Sequence, residues 1–300
     1  MLAILDTDIG TDVDDSLALA LILASPEIDL IGISCVYGDI NLRTKIALKY
    51  LQLAGVDDIP VYAGISKPLL NLDKIYWEGH EGHEILSDAD IDLTPQSQFA
   101  IDYLVETILN QPQAIHVIAI GPLTNIAMAL QKAPQIIAHI AGLTIMGGVI
   151  RGYDDLHLPI AEHNIQCDPE AAHIVFSSGI PLTLVPLNIT VQTALDQTSA
   201  DRIRSGGSAF HDAVATELET YPRFVRLGKT SPHDPLAVAT LIQPDLVKTQ
   251  TVTANVDLSR QTTRGAIHFK ADPEGNIQLV NQVDSATFKS LLLSRLEKPL

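Results

Sequence analysis

The chain has 300 residues, 46% of them hydrophobic, with 36 Asp and Glu against 19 Lys and Arg, a formal net charge of −17. That balance argues against nucleic acid or an anionic membrane as partner, because a polyanion needs a basic face that so few cations scarcely supply. Cys35 and Cys167 are the only cysteines and sit in apolar settings, which argues against a disulfide framework; with no charged-then-apolar leader before Asp6, the expectation is a cytoplasmic protein.

Along the chain, Leu2 to Leu5 is an apolar run of strand length, and Asp6 to Leu19, DTDIGTDVDDSLAL, places five carboxylates within ten positions before an Ala/Leu-rich stretch. The pattern predicts strand, acidic loop and buried helix. Strand and helix then alternate. Ile28 to Val36 reads as a strand, Leu42 to Ala54 as a helix, Ile59 to Ala63 as a strand; Ile115 to Ile120, Leu123 to Leu130, Leu143 to Met146, Ala171 to Phe176 and Leu182 to Val185 continue the series. This is the signature of an α/β protein, an open, mostly parallel Rossmann-like sheet with helices on both faces. From Val247 the pattern turns β-rich (Val252 to Leu258, Ala266 to Lys270, Ile277 to Val280) and closes on a helix near Ala286 to Leu296, a small antiparallel C-terminal edge. No Pro/Ser/Gly-rich linker interrupts the chain, so one domain over residues 1–300 is expected, and no apolar run approaches the ~20 residues of a membrane helix.

Ligands of such sheets bind beyond the carboxyl ends of the strands, so the loops there carry the chemistry. The first holds Asp6, Asp8, Asp12, Asp14 and Asp15, whose charges repel unless a cation sits among them or some stay protonated. One Asp suffices to cap a helix; five do not fit that role. All-oxygen ligands point to a hard ion, Ca²⁺ or Mg²⁺. Asp6, Asp8, Gly10 and Thr11 also approach the DxDGT signature of aspartyl-nucleophile phosphatases, but Ile9 breaks its spacing. Later loops bring Tyr37-Gly38-Asp39, the long polar segment Ile65 to Gln98 with Trp77, His80 and His83, then Gly121 to Asn125, Gly147-Gly148 and Ala161 to Asn164. His233-Asp234-Pro235 precedes an apolar helical run, where taken alone Asp234 reads as a cap and His233 as an ordinary surface or core histidine.

Taken in order, these blocks resemble the nucleoside hydrolases of the inosine-uridine-preferring type over nearly the whole chain: DTDIGTDVDD, GPLTNIA (Gly121 to Ala127), MGG (Met146 to Gly148), AEHN with DPEAA (Ala161 to Ala172) and HDP (His233 to Pro235). The resemblance implies Ca²⁺-dependent hydrolysis of the N-glycosidic bond of a ribonucleoside by a homodimer or homotetramer. It implies a Ca²⁺ held by Asp8, Asp15, Asp234 and the Thr124 carbonyl, with Asp8 as base for the attacking water. Asp14, Asp39, Glu162 and Asn164 match positions that bind the sugar; Met146, Trp77 and His80 complete the substrate-binding set. His233 matches the proton donor to the leaving base, a role for which its pKa should be raised by the anionic site. Trp77, Tyr221 and Phe224 are candidates to stack on the base. This chain departs from the family pattern by two extra residues between Asp8 and the Asp14-Asp15 pair, which leaves Asp12 an alternative to Asp14, and by Leu156 in place of an Asn. A Ca²⁺-dependent nucleoside-binding protein without turnover is the competing reading.

Overall fold

The computed structural model describes residues 1–70, 81–83, 85–151 and 157–299. In its first half, β1 (Leu2–Thr7), α1 (Asp14–Leu23), β2 (Asp29–Cys35), α2 (Ile40–Ala54), β3 (Val61–Ala63), α3 (Ala100–Asn110), β4 (Ile115–Ala119), α4 (Thr124–Lys132) and β5 (Gly142–Met146) alternate as the periodicity predicts. Then come α5 (His163–Cys167), α6 (Pro169–Phe176), β6 (Leu182–Val185), α7 (Leu187–Thr190), β7 (Leu195–Asp196), α8 (Gln197–Arg204), α9 (Ala209–Thr220), α10 (Pro222–Leu227), β8 (Lys229–Thr230) and α11 (His233–Ile242). The chain ends in β9 (Val247–Val256), β10 (Ile267–Ala271), β11 (Ile277–Val283) and α12 (Ser285–Leu296).

Among the described residues nine strands form one sheet in the order β10-β9-β11-β6-β5-β4-β1-β2-β3, and β7 pairs with β8 apart from it. Pairing is parallel from β3 across to β11, while β9 runs antiparallel to both β11 and β10, the expected C-terminal edge. Period-two alternation in β1 shows why both faces are apolar: Ala3 and Leu5 enter one core with α1, α2, α11 and α12, whereas Ile4 enters the other with α3, α4 and α6. The helix α1 is buried from Asp14 through Ile22 on every side, which explains its continuous Leu/Ala run. Among the described residues no helix is long and apolar enough to cross a membrane.

This topology creates a crevice. From β1 the chain passes through α1 to β2, on one side; from β3 it returns through α3 to β4, on the other. The segments leaving β1 and β4 therefore part beyond their carboxyl ends, as at any switch point of a doubly wound sheet.

Candidate functional site

Two loops meet in this crevice, the acidic turn after β1 and Gly121 to Leu123 after β4. A Cβ on Gly121 would lie 2.8 Å from Asp8 Oδ1 and 2.9 Å from the Asp8 backbone nitrogen, so only glycine lets the loops close on one another. Asp14 and Asp15 occupy the first turn of α1, and Asp234 the first turn of α11, which packs on α1. Carboxylate oxygens of Asp14, Asp15 and Asp234 lie within 4.8 Å of one another, all three residues buried. Burial pushes each of their pKa values well above the usual carboxylate range, and the neighbouring aspartates, Asp8 among them, push the same way. A buried, mutually repelling, all-oxygen set within reach of one ion is what a hard divalent cation requires, so the residues fit such a metal.

Other groups hold these acids in place. Arg43 of α2 is fully buried and donates from Nε to the Tyr37 carbonyl, from Nη1 to the carbonyls of Asp8 and Ile9, and from Nη2 to Thr11 Oγ1. Its Nη2 also stands 3.8 Å from Asp8 Oδ2. Tyr37 takes a left-handed backbone (φ 65°), a costly conformation for a bulky residue that this carbonyl contact helps to hold. Thr7 donates to Asp15 Oδ1, and the Asp234 backbone N–H donates to Asp14. Asp6, counted in the acidic run, faces away from it: Ser34 and Asn125 donate to its Oδ1, and burial raises its pKa to about 7.

A cavity of about 230 Å³ opens over the carboxylates, lined by Asp8, Asp12, Asp14, Asp15 and Asp234 together with Met146, Glu162, Asn164 and His233. Thus eight of the twelve residues singled out as site positions line it, and Thr124 opens α4 nearby with its hydroxyl donating to Asp168 Oδ2 at 2.8 Å. Glu162 caps α5, accepting from the backbone N–H groups of Gly148, Asn164 and Ile165 at 3.0, 2.8 and 3.2 Å. Asn164 Nδ2 donates to the carbonyls of Ile120 (2.7 Å) and Met146 (3.3 Å), tying the strand ends together. Asp12 lines the cavity but is also engaged at its edge, where Tyr221 Oη donates to Oδ2 at 2.7 Å and its own loop donates Val13 N–H to Oδ1. Thr11 and His163 complete much of the wall together with Leu187 and Arg223, two residues that the sequence did not bring forward.

Several expectations change. Asp39, expected on the sugar, is an exposed N-cap of α2, accepting from Leu42 N–H at 3.1 Å, and does not line the cavity. Phe224 is a core residue, not a stacking platform, and Tyr221 turns its hydroxyl to Asp12. Trp77, His80 and Leu156 lie outside the described residues. His233 lines the cavity, but burial, reinforced by the charge of Arg223, lowers its pKa to about 3, opposite to the expected rise. Burial of the ring is the larger of the two causes. Its Nδ1 lies 2.7 Å from Thr190 Oγ1, which fixes the neutral ring in place.

The family model described as inosine-uridine preferring nucleoside hydrolase matches residues 3–290. Pyrimidine-specific ribonucleoside hydrolase RihA from Citrobacter koseri is 33% identical, with 94% of each chain covered. Among solved structures, a plant nucleoside hydrolase, PpNRh1, superposes with a TM-score of 0.88 at 28% identity, covering 99% of both chains. The purine-preferring ribonucleoside hydrolase from Gardnerella vaginalis gives 0.85 at 30% identity, covering 99% of this chain and 98% of that one. With an acid-lined crevice at the switch point and a match along nearly its whole length, the chain belongs to the inosine-uridine preferring nucleoside hydrolase family.

Proposed function

We propose that this nucleoside hydrolase cleaves the N-glycosidic bond of ribonucleosides in a Ca²⁺-dependent reaction, with the ion held by Asp8, Asp15, Asp234 and the Thr124 carbonyl. The observation that carries the reading is the buried trio of Asp14, Asp15 and Asp234, which puts two of the proposed ligands together with Asp14 in the space of one ion, while Asp8 lines the same cavity outside that trio. Such an ion, when bound, supplies the charge that lets these acids ionise and lowers the pKa of a coordinated water.

The protein groups divide the remaining work. Asp8 accepts the proton of the attacking water, its carboxylate held in register by Arg43. Asp14 and Glu162 face the cavity as acceptors for ribose hydroxyls, and Asn164 fixes the loops that present them. The same carboxylates stabilise the positive charge that spreads over C1′ and the ring oxygen as the bond breaks. Similar proteins carry opposite base labels, pyrimidine-specific for the Citrobacter enzyme and purine-preferring for the Gardnerella enzyme, so base choice does not follow from membership of the family.

Free base and reducing sugar measured from inosine, guanosine, adenosine, uridine and cytidine test the proposal. Turnover that requires Ca²⁺ and disappears on chelation is expected; Ca²⁺ and nucleoside binding with no turnover would establish the binding-protein reading instead. For His233 a neutral ring changes the expected outcome. It offers the base a hydrogen bond and not a standing proton, so His233→Gln, which keeps a donor, should reduce kcat by no more than about tenfold, the scale of one hydrogen bond. A loss of about 10³-fold, within the range of general-acid contributions, would restore the imidazolium role.

A further inference from the structure

A departing base needs a group that receives its developing charge, and the cavity wall offers a cation. Arg223, on the first turn of α10, lines the same cavity as His233 and Leu187. Among the described residues lining that cavity it is the only Lys or Arg, set against five aspartates and one glutamate. It is half-buried, and among the described residues its guanidinium takes part in no hydrogen bond or ion pair. A cation that shares a cavity with so many carboxylates, yet is joined to none of them by a hydrogen bond or ion pair among the described residues, is left to meet what the cavity takes up.

We infer that Arg223 receives the departing nucleobase, its guanidinium donating to a carbonyl on the base and holding the negative charge that the base acquires as the C1′–N bond breaks. The inference rests on the hydrolase reading above. In the step, the electron pair of the C1′–N bond moves onto the base nitrogen while the oxygen of water bonds to C1′. The proton that Asp8 takes from this water returns through solvent to the base, so nucleoside and water give ribose and neutral base. The guanidinium gains and loses no proton, because it stays charged throughout the accessible pH range. As a group that only donates, it favours bases that present a carbonyl at its position over bases that present an amino group there.

The test compares uridine and inosine with p-nitrophenyl riboside, whose leaving group departs as a stable anion without assistance, in wild type, Arg223→Ala and Arg223→Lys. With Arg223→Ala, kcat on the two nucleosides should fall about 10²- to 10³-fold, the usual effect of deleting one donor to a developing anion, while p-nitrophenyl riboside should change only a few-fold. Ethylguanidinium added to Arg223→Ala should restore part of the nucleoside turnover and leave the aryl riboside unaffected; Arg223→Lys should retain an intermediate rate. Equal losses on all three substrates, or no loss on any, would overturn the assignment and make Arg223 a counter-charge to the carboxylates or a bystander. Wild type inert towards every substrate would instead sink the hydrolase reading and this role with it, whereas wild type that cleaves all three leaves the reading intact whatever Arg223 does.

Discussion

Asp15→Ala should abolish measurable Ca²⁺ binding and at the same time raise the melting temperature of the metal-free protein at neutral pH. Asp15 is buried, accepts from Thr7, and shares its space with Asp14 and Asp234. Removing it deletes a ligand, and it also deletes one of several like charges that burial makes costly to ionise. The sign of the pH dependence follows. Asp14, Asp15 and Asp234 have native pKa values raised well above the ~3.9 of an unfolded Asp, and Asp6 is raised to about 7. Between those limits the native protein binds more protons than the unfolded chain, so metal-free stability is fully present below about pH 4 and is lost as pH rises towards and beyond 7. Each such group contributes a slope of up to about 1.4 kcal/mol per pH unit.

Calorimetry at pH 5 and pH 7.5, with chelator and with Ca²⁺, checks this. Wild type without metal should melt lower at pH 7.5 than at pH 5. Saturating Ca²⁺ should remove most of the difference by binding only the native state, and Asp15→Ala should show a shallower metal-free dependence with no Ca²⁺ response. Undiminished Ca²⁺ affinity in the variant would move the ion to a cage built on Asp12 and Asp14.

The second large effect is expected at Arg43→Met. The methionine replaces most of the buried volume and none of the bonds, leaving the carbonyls of Tyr37, Asp8 and Ile9 and the hydroxyl of Thr11 without this donor and the Asp8 carboxylate without its nearest cation. Breaking a buried charge pair on one side costs about 3–5 kcal/mol. Tyr37 would also lose a contact that holds its left-handed backbone. Denaturant unfolding should register the loss, and Ca²⁺ affinity should fall even under conditions where the variant remains folded, because the acidic turn loses its brace. Arg43→Lys, a point charge in place of a fork, should recover only part of both. A variant with native stability and affinity would show that the turn holds its shape unaided.

Where apolar period and strand length agreed, the fold was legible. The runs at Leu2 to Leu5, Ile115 to Ile120 and Leu182 to Val185 became β1, β4 and β6 almost residue for residue, because strands buried on both faces leave an uninterrupted apolar record. The helices between Leu187 and Leu227 left no comparable trace: α7 and α10 are short, and α8 is largely polar. At the site, acid clustering exposed Asp8, Asp14 and Asp15, whereas Asp234 emerged only through the family resemblance of its HDP block. Arg43 was hidden, since a basic residue within INLRTKIALKY reads as one of a helix's solvent-facing positions and nothing local announces that it points inward. Arg223, and the Tyr221 contact to Asp12 across 209 residues of chain, belong to tertiary structure alone. The protonation of His233 was misjudged because sequence gives the neighbours of a group but not its desolvation.

The complete burial of α1 sets where the molecule can breathe. Backbone amides of a helix enclosed on every side exchange with solvent only through openings close to global unfolding, so α1 should be among the last segments to take up deuterium. The Asp14 and Asp15 carboxylates ride on its first turn, so they cannot separate from one another by local fraying. By contrast α10 exposes Val225 and Leu227, 68% and 52% accessible, and should exchange early. If the reaction proposed above is the one performed, the half of the crevice built on α1 should act as a fixed template for the sugar, while the half carrying Arg223 should yield to bases of different size.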